Sequence, residues 1–296
     1  MTESFVPPPG GTAKLAGHTV ARIGFGAMQL ANQGVDRDAA LAIVRQAVDA
    51  GVNHIDTAGF YGSCNALIHD ALSPYPGELV LVSKVGAARD ADGALVAAQR
   101  PEQLREQVES DLATLGVGQV GVVNLRRADA PPGLIASGDQ KVLIDDQLAE
   151  LSALRDAGKI GAIGLSNVSA GQLRHALPAG IACVQNSYSV LNRAAKDVLA
   201  LCAGHGVAWV PFFPLGSAFA RLPRVADNPA VVAIADELGV APAQVGLAWL
   251  LAHDDNTLLI PGTSSAAHLA ENIAAGSVRL PAASIAALDR LDSAVA

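Results

Sequence analysis

Short β-branched apolar runs alternate with longer stretches of helical spacing along most of the chain. A short continuous apolar run is typical of a buried strand, and apolar residues repeated every three or four positions are typical of a helix with one buried face. The predicted strands are Arg22–Phe25, Asn53–Asp56, Leu79–Ser83, Val120–Leu125, Ala162–Leu165, Ala182–Gln185, Val207–Phe212 and Thr257–Ile260. The predicted helices between them are Asp38–Ala50, Pro101–Leu115, Ile144–Ala157, Ser169–Leu177, Ala195–His205 and Pro242–Ala252.

This alternation predicts an α/β fold with parallel strands, because a crossover helix returns the chain to the same end of the sheet. Eight strand and helix units within 296 residues favour a closed (β/α)8 TIM barrel, and we expect residues 1–296 to form one domain. An open dinucleotide-binding sheet is disfavoured, since no Gly-x-Gly-x-x-Gly follows the first strand. The segment Gly10–Val20 predicts a hairpin, which we place over the bottom of the barrel.

Three connections are longer than a barrel requires, and each follows the carboxyl end of a strand. They are Gly86–Arg100, Arg126–Leu143 and Phe213–Pro229. Barrel enzymes build their sites from the loops at this face. We therefore expect these three long loops to shape a functional site.

Composition and charge exclude several classes of protein. Hydrophobic residues make up 51% of the chain, which excludes disorder, and the longest apolar runs fall short of a membrane-spanning segment. The formal net charge of −8 disfavours binding to nucleic acid or to an anionic membrane. The first nine residues lack the pattern of a signal peptide, and the scattered Cys64, Cys183 and Cys202 predict free, buried thiols in a reducing cytoplasm.

Polar residues at neighbouring strand ends form a candidate catalytic group. Asp56 and Lys84 end the second and third predicted strands, Tyr61 lies in the loop after Asp56, and Arg126 follows the fourth strand. A buried lysine needs a carboxylate partner, and an ammonium beside a tyrosine lowers the pKa of its phenol, which predicts Tyr61 as a proton donor. The alternative is a structural ion pair at the barrel rim beside an unrelated surface tyrosine.

Several segments in order along the chain resemble the aldo-keto reductase superfamily, from about Arg22 to Leu291. The matching segments are Gly51–Ala58, Phe60–Gly62, Val82–Lys84, Gly164–Asn167, Val184–Asn186, Pro214–Gly216 and Ile260–Thr263. The resemblance implies NADP(H)-dependent reduction of a carbonyl, with Tyr61 as the acid and with Lys84 and Asp56 tuning it. It also implies that the cofactor lies extended across the barrel mouth.

One position departs from the usual pattern of this superfamily. Arg126 stands where most members have a histidine after the fourth strand. Because arginine brings a permanent charge and a forked donor, we expect it to favour a substrate with an anionic oxygen beside its carbonyl. A bacterial pyridoxal-reducing group of the superfamily is similar at Val122–Arg126, Cys183–Asn186, Val210–Gly216 and Leu259–Ser265, which implies reduction of pyridoxal to pyridoxine. The alternative is that Arg126 points away and pairs with Asp129 or Asp139 at the rim.

The nicotinamide end of the cofactor is expected to contact strand ends. Ser166, Asn167 and Gln185 have polar side chains of a size to hold a carboxamide, and Phe212 would stack on the ring. For Phe212 the alternative is ordinary core packing. The resemblance adds a segment after the seventh strand, formed by Pro214, Leu215 and Gly216.

The phosphate end is expected just after the eighth strand. Gly262, Thr263, Ser264 and Ser265 precede a helix that starts near Ala266, and helix N-termini bind anions. His268, Glu271 and Asn272 follow on one face of that helix and are expected to meet the adenosine. Many NADP-specific relatives carry arginine in place of His268 and lysine in place of Gly262, so we expect NADPH to be preferred over NADH only moderately.

Other functions stay open at this point. The barrel could reduce other aldehydes or sugars, or it could hold NADPH as a redox sensor with little turnover. No histidines or cysteines stand at metal-ligand spacing, so no metal is expected, and His54 is interpreted as a structural histidine. The oligomeric state is left undetermined.

Overall fold

The computed structural model describes residues 6–130, 134–216 and 222–291. Its strands are, in chain order, β1 (Thr12–Leu15), β2 (His18–Ala21), β3 (Phe25–Gly26), β4 (His54–Asp56), β5 (Val80–Val85), β6 (Ala87–Arg89), β7 (Leu95–Ala97), β8 (Val120–Arg126), β9 (Ile160–Ser166), β10 (Ile181–Gln185) and β11 (Ala208–Trp209). The parallel sheet has the order β11-β10-β9-β8-β5-β4-β3.

The segment after the helix Pro242–His253 closes this sheet into a barrel. On one side the Leu258 amide donates to the Trp209 carbonyl over 2.8 Å, and on the other the Gly24 amide donates to the Leu259 carbonyl over 2.8 Å. The predicted (β/α)8 barrel is thereby confirmed. The predicted strand Thr257–Ile260 is present only as isolated parallel bridges, of which Ile23 with Leu259 is one.

The helices occupy the crossovers between the strands and the end of the chain. They are α1 (Arg37–Asp49), α2 (Cys64–Leu72), α3 (Pro101–Leu115), α4 (Ile144–Asp156), α5 (Ala170–Ala176), α6 (Lys196–His205), α7 (Pro229–Leu238), α8 (Pro242–His253), α9 (Ala266–Ala274) and α10 (Ala282–Asp289). All six predicted helices form, with ends shifted by a residue or two. The pattern missed α2, α7 and α10.

The start of the predicted first strand is altered by a buried histidine. A Cβ on Gly24 would lie 2.1 Å from the His54 ring, so only glycine fits there, and the regular strand pairing begins at Phe25. His54 is buried, its Nε2 lies 3.1 Å from the Ala21 carbonyl, and burial lowers its pKa to about 4. Its predicted structural role is confirmed.

The N-terminal hairpin covers the bottom of the barrel, as predicted. β1 and β2 pair with Thr12 opposite Ala21, and Leu15 and Val20 pack in one buried cluster with residues from the first halves of the barrel strands, such as Val80 and Val122. Buried apolar surface of this kind stabilises the closed end by about 25 cal/mol per Å². The hairpin leaves the opposite end, where the strands finish, open for a site.

Candidate active site

A cavity of about 570 Å³ opens at the carboxyl ends of the strands. Four strands each contribute the side chain at or near their end: Asp56 from β4, Lys84 from β5, Arg126 from β8 and Ser166 from β9. Tyr61, from the loop after β4, also lines this cavity. All four predicted catalytic residues therefore lie in one wall.

A buried ion pair lies at the base of the cavity. The Lys84 ammonium pairs with the Asp56 carboxylate, and both side chains are almost fully buried. Burial opposes the charge on Lys84, but the attraction of Asp56 and the contact with Tyr61 outweigh it, so the pKa of Lys84 is raised. The second Asp56 oxygen accepts from Gln185 Nε2 over 2.7 Å. The ammonium is therefore held charged within a dry site.

Tyr61 stands over this ion pair. The Lys84 ammonium lies 5.4 Å from the centroid of the Tyr61 ring, and Phe60 packs edge-on against the same ring at 5.0 Å. Burial raises the pKa of Tyr61, and the lysine lowers it by a smaller amount. The expectation of a net lowered pKa is therefore wrong, because desolvation of the phenolate outweighs the ammonium. The phenol is protonated at neutral pH, as a proton donor must be.

Two consecutive arginines at the end of β8 have different surroundings. Arg126 lines the cavity, where burial lowers its pKa and Tyr61 partly offsets that shift. Arg127 Nε donates to Asp129 over 2.8 Å, and Asp139 pairs with Arg100. Side chains alternate along a strand, which explains the contrast. The carboxylates considered as partners for Arg126 thus pair with other arginines.

The predicted nicotinamide residues are placed in two groups. Ser166 and Phe212 line the cavity, whereas Asn167 and Gln185 are not part of its wall. Asn167 has a left-handed backbone, with φ of 58°, and its Nδ2 donates to the Ala130 carbonyl over 2.7 Å. Gln185 Oε1 is buried and accepts no hydrogen bond from the residues that the structure describes. A buried acceptor of this kind fits a carboxamide N–H donor, since unpaired buried polar atoms are costly.

The other residues predicted to bind the cofactor surround the far end of the cavity. Those that line it are Pro214, Leu215, Gly216, Gly262, Thr263, His268, Glu271 and Asn272. Ser264 and Ser265 are not in the wall. Ser265 instead caps α9 by accepting from the His268 amide over 3.4 Å. This end is thus formed by turns and a helix rather than by strand ends.

Two glycines in these turns are required by close contacts. A Cβ on Gly262 would lie 2.1 Å from Gln29 Oε1 and 2.4 Å from the Gly26 carbonyl oxygen. Gly216 has a φ of 85°, and a Cβ there would lie 2.0 Å from the Pro223 carbonyl oxygen. The lysine that many relatives carry in place of Gly262 would not fit without a shift of the backbone.

Several residues of the cavity wall were not found from the sequence. Leu95 from β7 packs against the cluster of Phe60, Phe213 adds further apolar surface, and Arg224 adds a charged side chain that pairs with Asp227 over 3.5 Å. Leu95, Phe213 and Arg224 lie in the predicted long connections. Loop length predicted that these segments reach the site, but it contains no signal for which side chain points inward.

Within residues 6–130, 134–216 and 222–291, no group of three His, Cys, Asp or Glu side chains is placed to hold a metal ion. No single helix in the same ranges is long and apolar enough to cross a membrane, although α7 and α8, bent by 94°, pass on length and composition as a pair. The three cysteines are free and buried, as predicted.

Comparisons with known proteins agree with this geometry. The Aldo/keto reductase family model matches residues 22–293. Pyridoxine 4-dehydrogenase of Escherichia coli K12 is 41% identical over 286 residues, which cover 94% of this chain and 97% of that protein. An uncharacterized oxidoreductase of Schizosaccharomyces pombe is 32% identical and covers 94% of this chain and 89% of its own length.

Solved structures share the fold. An aldo-keto reductase from Klebsiella pneumoniae in complex with NADPH has a TM-score of 0.79 at 24% identity and covers 94% of each chain. A thermostable aldo-keto reductase, Tm1743, in complex with the inhibitor epalrestat has a TM-score of 0.77, also at 24% identity, and covers 94% of this chain and 98% of that chain. The barrel, the cavity at its strand ends and the match over residues 22–293 together place this chain in the Aldo/keto reductase family.

Proposed function

We propose that the protein reduces an aldehyde to a primary alcohol with NADPH and that its substrate is pyridoxal, which it converts to pyridoxine. The observation that carries this proposal is the Arg126 guanidinium in the same cavity wall as Tyr61 and Lys84. A relative that is 41% identical is a pyridoxine 4-dehydrogenase, which supports the same substrate. Other aldehydes and sugars are the competing substrates.

The residues of the cavity fit a nicotinamide cofactor. The buried Gln185 Oε1 would accept from the carboxamide, Ser166 would bind its other side, and Phe212 would pack on the ring. Gly262, Thr263 and the amino end of α9 would hold phosphate, with His268 beside the 2′-phosphate. When bound, NADPH supplies the hydride that reduces the carbonyl carbon.

Tyr61 would supply the proton that balances this hydride. Its protonated phenol donates to the carbonyl oxygen as negative charge develops there. General acid catalysis of this kind accelerates a reaction by about 10²–10⁴-fold. Lys84 stabilises the phenolate that remains, and Asp56 holds the lysine charged. Solvent then returns one proton to Tyr61, so that the reaction consumes one proton and one hydride per aldehyde.

Arg126 would select and orient the substrate. Pyridoxal carries an aldehyde beside a 3-hydroxyl that is largely ionised near neutral pH, and a guanidinium in a dry site binds such an oxygen strongly. The apolar side chains of Phe60, Leu95 and Phe213 would pack on the pyridine ring. This arrangement favours aromatic aldehydes with an ionised ortho oxygen over simple aldehydes and open-chain sugars.

A panel of aldehydes tests the proposal. Purified protein is assayed with pyridoxal, salicylaldehyde, benzaldehyde, methylglyoxal and a free sugar, each with NADPH and with NADH. We expect the highest kcat/KM with pyridoxal and NADPH, and salicylaldehyde above benzaldehyde. A sugar or methylglyoxal as the best substrate would contradict the assignment. Stopped-flow records without rapid NADPH oxidation by any aldehyde would indicate a redox sensor instead.

A further inference from the structure

A buried carboxylate lies behind the active site, on the outer side of the barrel wall. Asp111 is on α3, where it is only 1% exposed, and the same helix face otherwise carries Leu104, Val108 and Leu115. A carboxylate on an apolar helix face is costly unless its oxygens accept hydrogen bonds. It is not part of the cavity wall and has no place in the reaction described above.

Both oxygens of Asp111 accept hydrogen bonds, one from β5 of the barrel wall and one from helix α2. Ser83 Oγ donates to Oδ2 over 2.5 Å, and Asn65 Nδ2 donates to Oδ1 over 2.9 Å. Asn65 Oδ1 in turn accepts from Thr57 Oγ1 over 2.8 Å. Ser83, Asn65 and Thr57 are all buried, and Asn65 Nδ2 also donates to Thr114 Oγ1 over 3.1 Å at the exposed side of α3.

Two residues of this network, Ser83 and Thr57, are next to active-site residues in the sequence. Ser83 precedes Lys84 on β5, and Thr57 follows Asp56 at the end of β4. Because side chains alternate along a strand, Ser83 and Thr57 point out toward the helices while Lys84 and Asp56 point into the barrel. The Thr57 carbonyl also lies 3.4 Å from the Lys84 ammonium. The network therefore contacts both strands that carry the ion pair.

The loop that carries Tyr61 also packs against Asp111. A Cβ on Gly59 would lie 2.8 Å from Asp111 Oδ1, so the backbone of this loop approaches the carboxylate directly. The Tyr61 amide donates to the Ala58 carbonyl over 2.9 Å, and this turn spans Gly59. One side chain on an outer helix thus contacts the segments that hold Asp56, Lys84 and Tyr61.

We propose that Asp111 is a positioning residue for carbonyl reduction, which sets the relative placement of Lys84, Asp56 and Tyr61 through Ser83, Thr57, Asn65 and the Gly59 backbone. The two charges also interact through the barrel wall, since the Lys84 ammonium lowers the pKa of Asp111. The proposal rests on aldehyde reduction and not on pyridoxal as the substrate.

The carboxylate form is the one that performs this role. Burial raises the pKa of Asp111 to about 6, while the hydrogen bonds from Ser83 and Asn65 and the charge of Lys84 lower it by smaller amounts. On the other elements packed nearby, His69 of α2 contacts the Leu115 carbonyl, and Asp56 and Tyr61 face the cavity. Protonation below about pH 6 removes one acceptor and the negative charge, so turnover should fall there.

The test compares Asp111→Asn with a control on the same helix face. Val108→Ala removes buried apolar volume one turn earlier, at a side chain that has no polar atom to join the network and does not line the cavity. For wild type and both variants, kcat and KM for benzaldehyde are measured with NADPH from pH 5.5 to 8. The dissociation constant of NADPH is measured by fluorescence and the unfolding midpoint by thermal denaturation.

We expect Asp111→Asn to lower kcat about tenfold at pH 7.5, with KM and the NADPH dissociation constant within about twofold, because only the placement of reacting groups changes. Its kcat should be flat where that of wild type falls below about pH 6. Its unfolding midpoint should stay within about 3 °C of wild type, since the amide avoids burying a charge. Val108→Ala should show the opposite, with a lower midpoint and an unchanged kcat.

An unchanged kcat in Asp111→Asn would overturn the proposal, and so would losses of kcat that simply follow the unfolding midpoint in both variants.

If Asp111→Asn does not fold, the variant Ser83→Ala tests the proposal in its place. It removes a hydrogen bond that lowers the pKa of Asp111, so the acid limb of kcat should move to higher pH. If kcat falls at the same pH in Ser83→Ala as in wild type, Asp111 is not the positioning residue. Wild type without turnover of benzaldehyde or of any other aldehyde of the panel would contradict aldehyde reduction itself, and this proposal with it.

Discussion

The two ends of the cavity are built in different ways. At the catalytic end, Asp56, Lys84 and Arg126 project from strands whose register is fixed by parallel hydrogen bonding, and Asp56 and Lys84 are almost fully buried. At the far end, Gly216, Gly262 and His268 belong to turns and to the exposed first turn of α9. Strand ends hold charges in a dry site, and turns offer backbone amides to a ligand that arrives from solvent.

Because of this difference, residues at the catalytic end should determine the rate of reduction, and residues at the far end should determine the affinity for the cofactor. Groups at the catalytic end interact strongly because little water screens them, so their removal should reduce turnover by large factors. Exposed groups at the far end are screened, so their removal should alter cofactor binding by small factors and leave the chemical step intact. Substitutions at the catalytic end should therefore have the largest effects, on turnover, and substitutions at the far end the smallest, on cofactor binding.

Tyr61→Phe should have the largest effect. We expect kcat for any aldehyde to fall by about 10²–10⁴-fold, with the NADPH dissociation constant within about threefold of wild type, because the hydroxyl serves proton transfer. Tyr75→Phe is the matched control, since the Tyr75 hydroxyl donates to the Leu115 carbonyl over 2.6 Å and is not part of the cavity wall. Comparable activity in the two variants would refute the role of Tyr61.

Lys84→Met should reduce kcat by about 10²-fold and shift its pH dependence. The ammonium lowers the pKa of Tyr61, so its loss raises that pKa further, and alcohol oxidation with NADP⁺ should need a higher pH. Asp56 also loses its buried partner, so the free energy of unfolding should drop by about 3–5 kcal/mol. Lys196→Met, on the exposed side of α6, should change neither quantity. A pH profile that does not move would remove Lys84 from the proton transfer.

His268 variants test cofactor selectivity at the far end. If His268 binds the 2′-phosphate, His268→Ala should narrow the advantage of NADPH over NADH by about 1–2 kcal/mol, and His268→Arg should widen it. The measurement is the dissociation constant of each cofactor by fluorescence, with kcat as the control. Equal changes for both cofactors would place His268 against the ribose or adenine.

Arg224→Gln should have the smallest effect. The side chain is 70% exposed and lines the cavity, so its attraction to the cofactor phosphates is worth at most about 1 kcal/mol. We expect both NADPH and NADH to bind up to about fivefold more weakly, and the difference to disappear in high salt. A loss of kcat at saturating cofactor would instead place Arg224 in the chemistry.

The same division explains how much was predictable from the sequence. The strands, the six helices and the four residues Asp56, Tyr61, Lys84 and Arg126 were predictable, because apolar periodicity locates strands and barrel topology brings their ends together. Helix α7 was missed although Asn228 caps it and Gly239 ends it, since those signals followed a long predicted loop.

Loop conformation and burial were not predictable. The inward position of Leu95 depends on the β6 and β7 hairpin, and that of Arg224 on the turn at Gly216. The direction of the Tyr61 pKa was wrongly predicted because sequence shows a neighbouring lysine but not the degree of desolvation. The outward network of Asp111, Ser83 and Asn65 has no sequence signal beyond a polar residue on an apolar helix face.

Arg126 is proposed to bind an ionised oxygen beside the aldehyde, and one comparison tests this role directly. The quantity is the ratio of kcat/KM for pyridoxal to kcat/KM for benzaldehyde, measured in wild type, Arg126→Met and Arg126→Lys. We expect Arg126→Met to cost pyridoxal roughly 2–4 kcal/mol of transition-state stabilisation and benzaldehyde clearly less, so the ratio falls by at least about tenfold. Arg126→Lys should recover only part of it, because a point charge does not reproduce the planar fork. A ratio that is the same in wild type and Arg126→Met would contradict the claim.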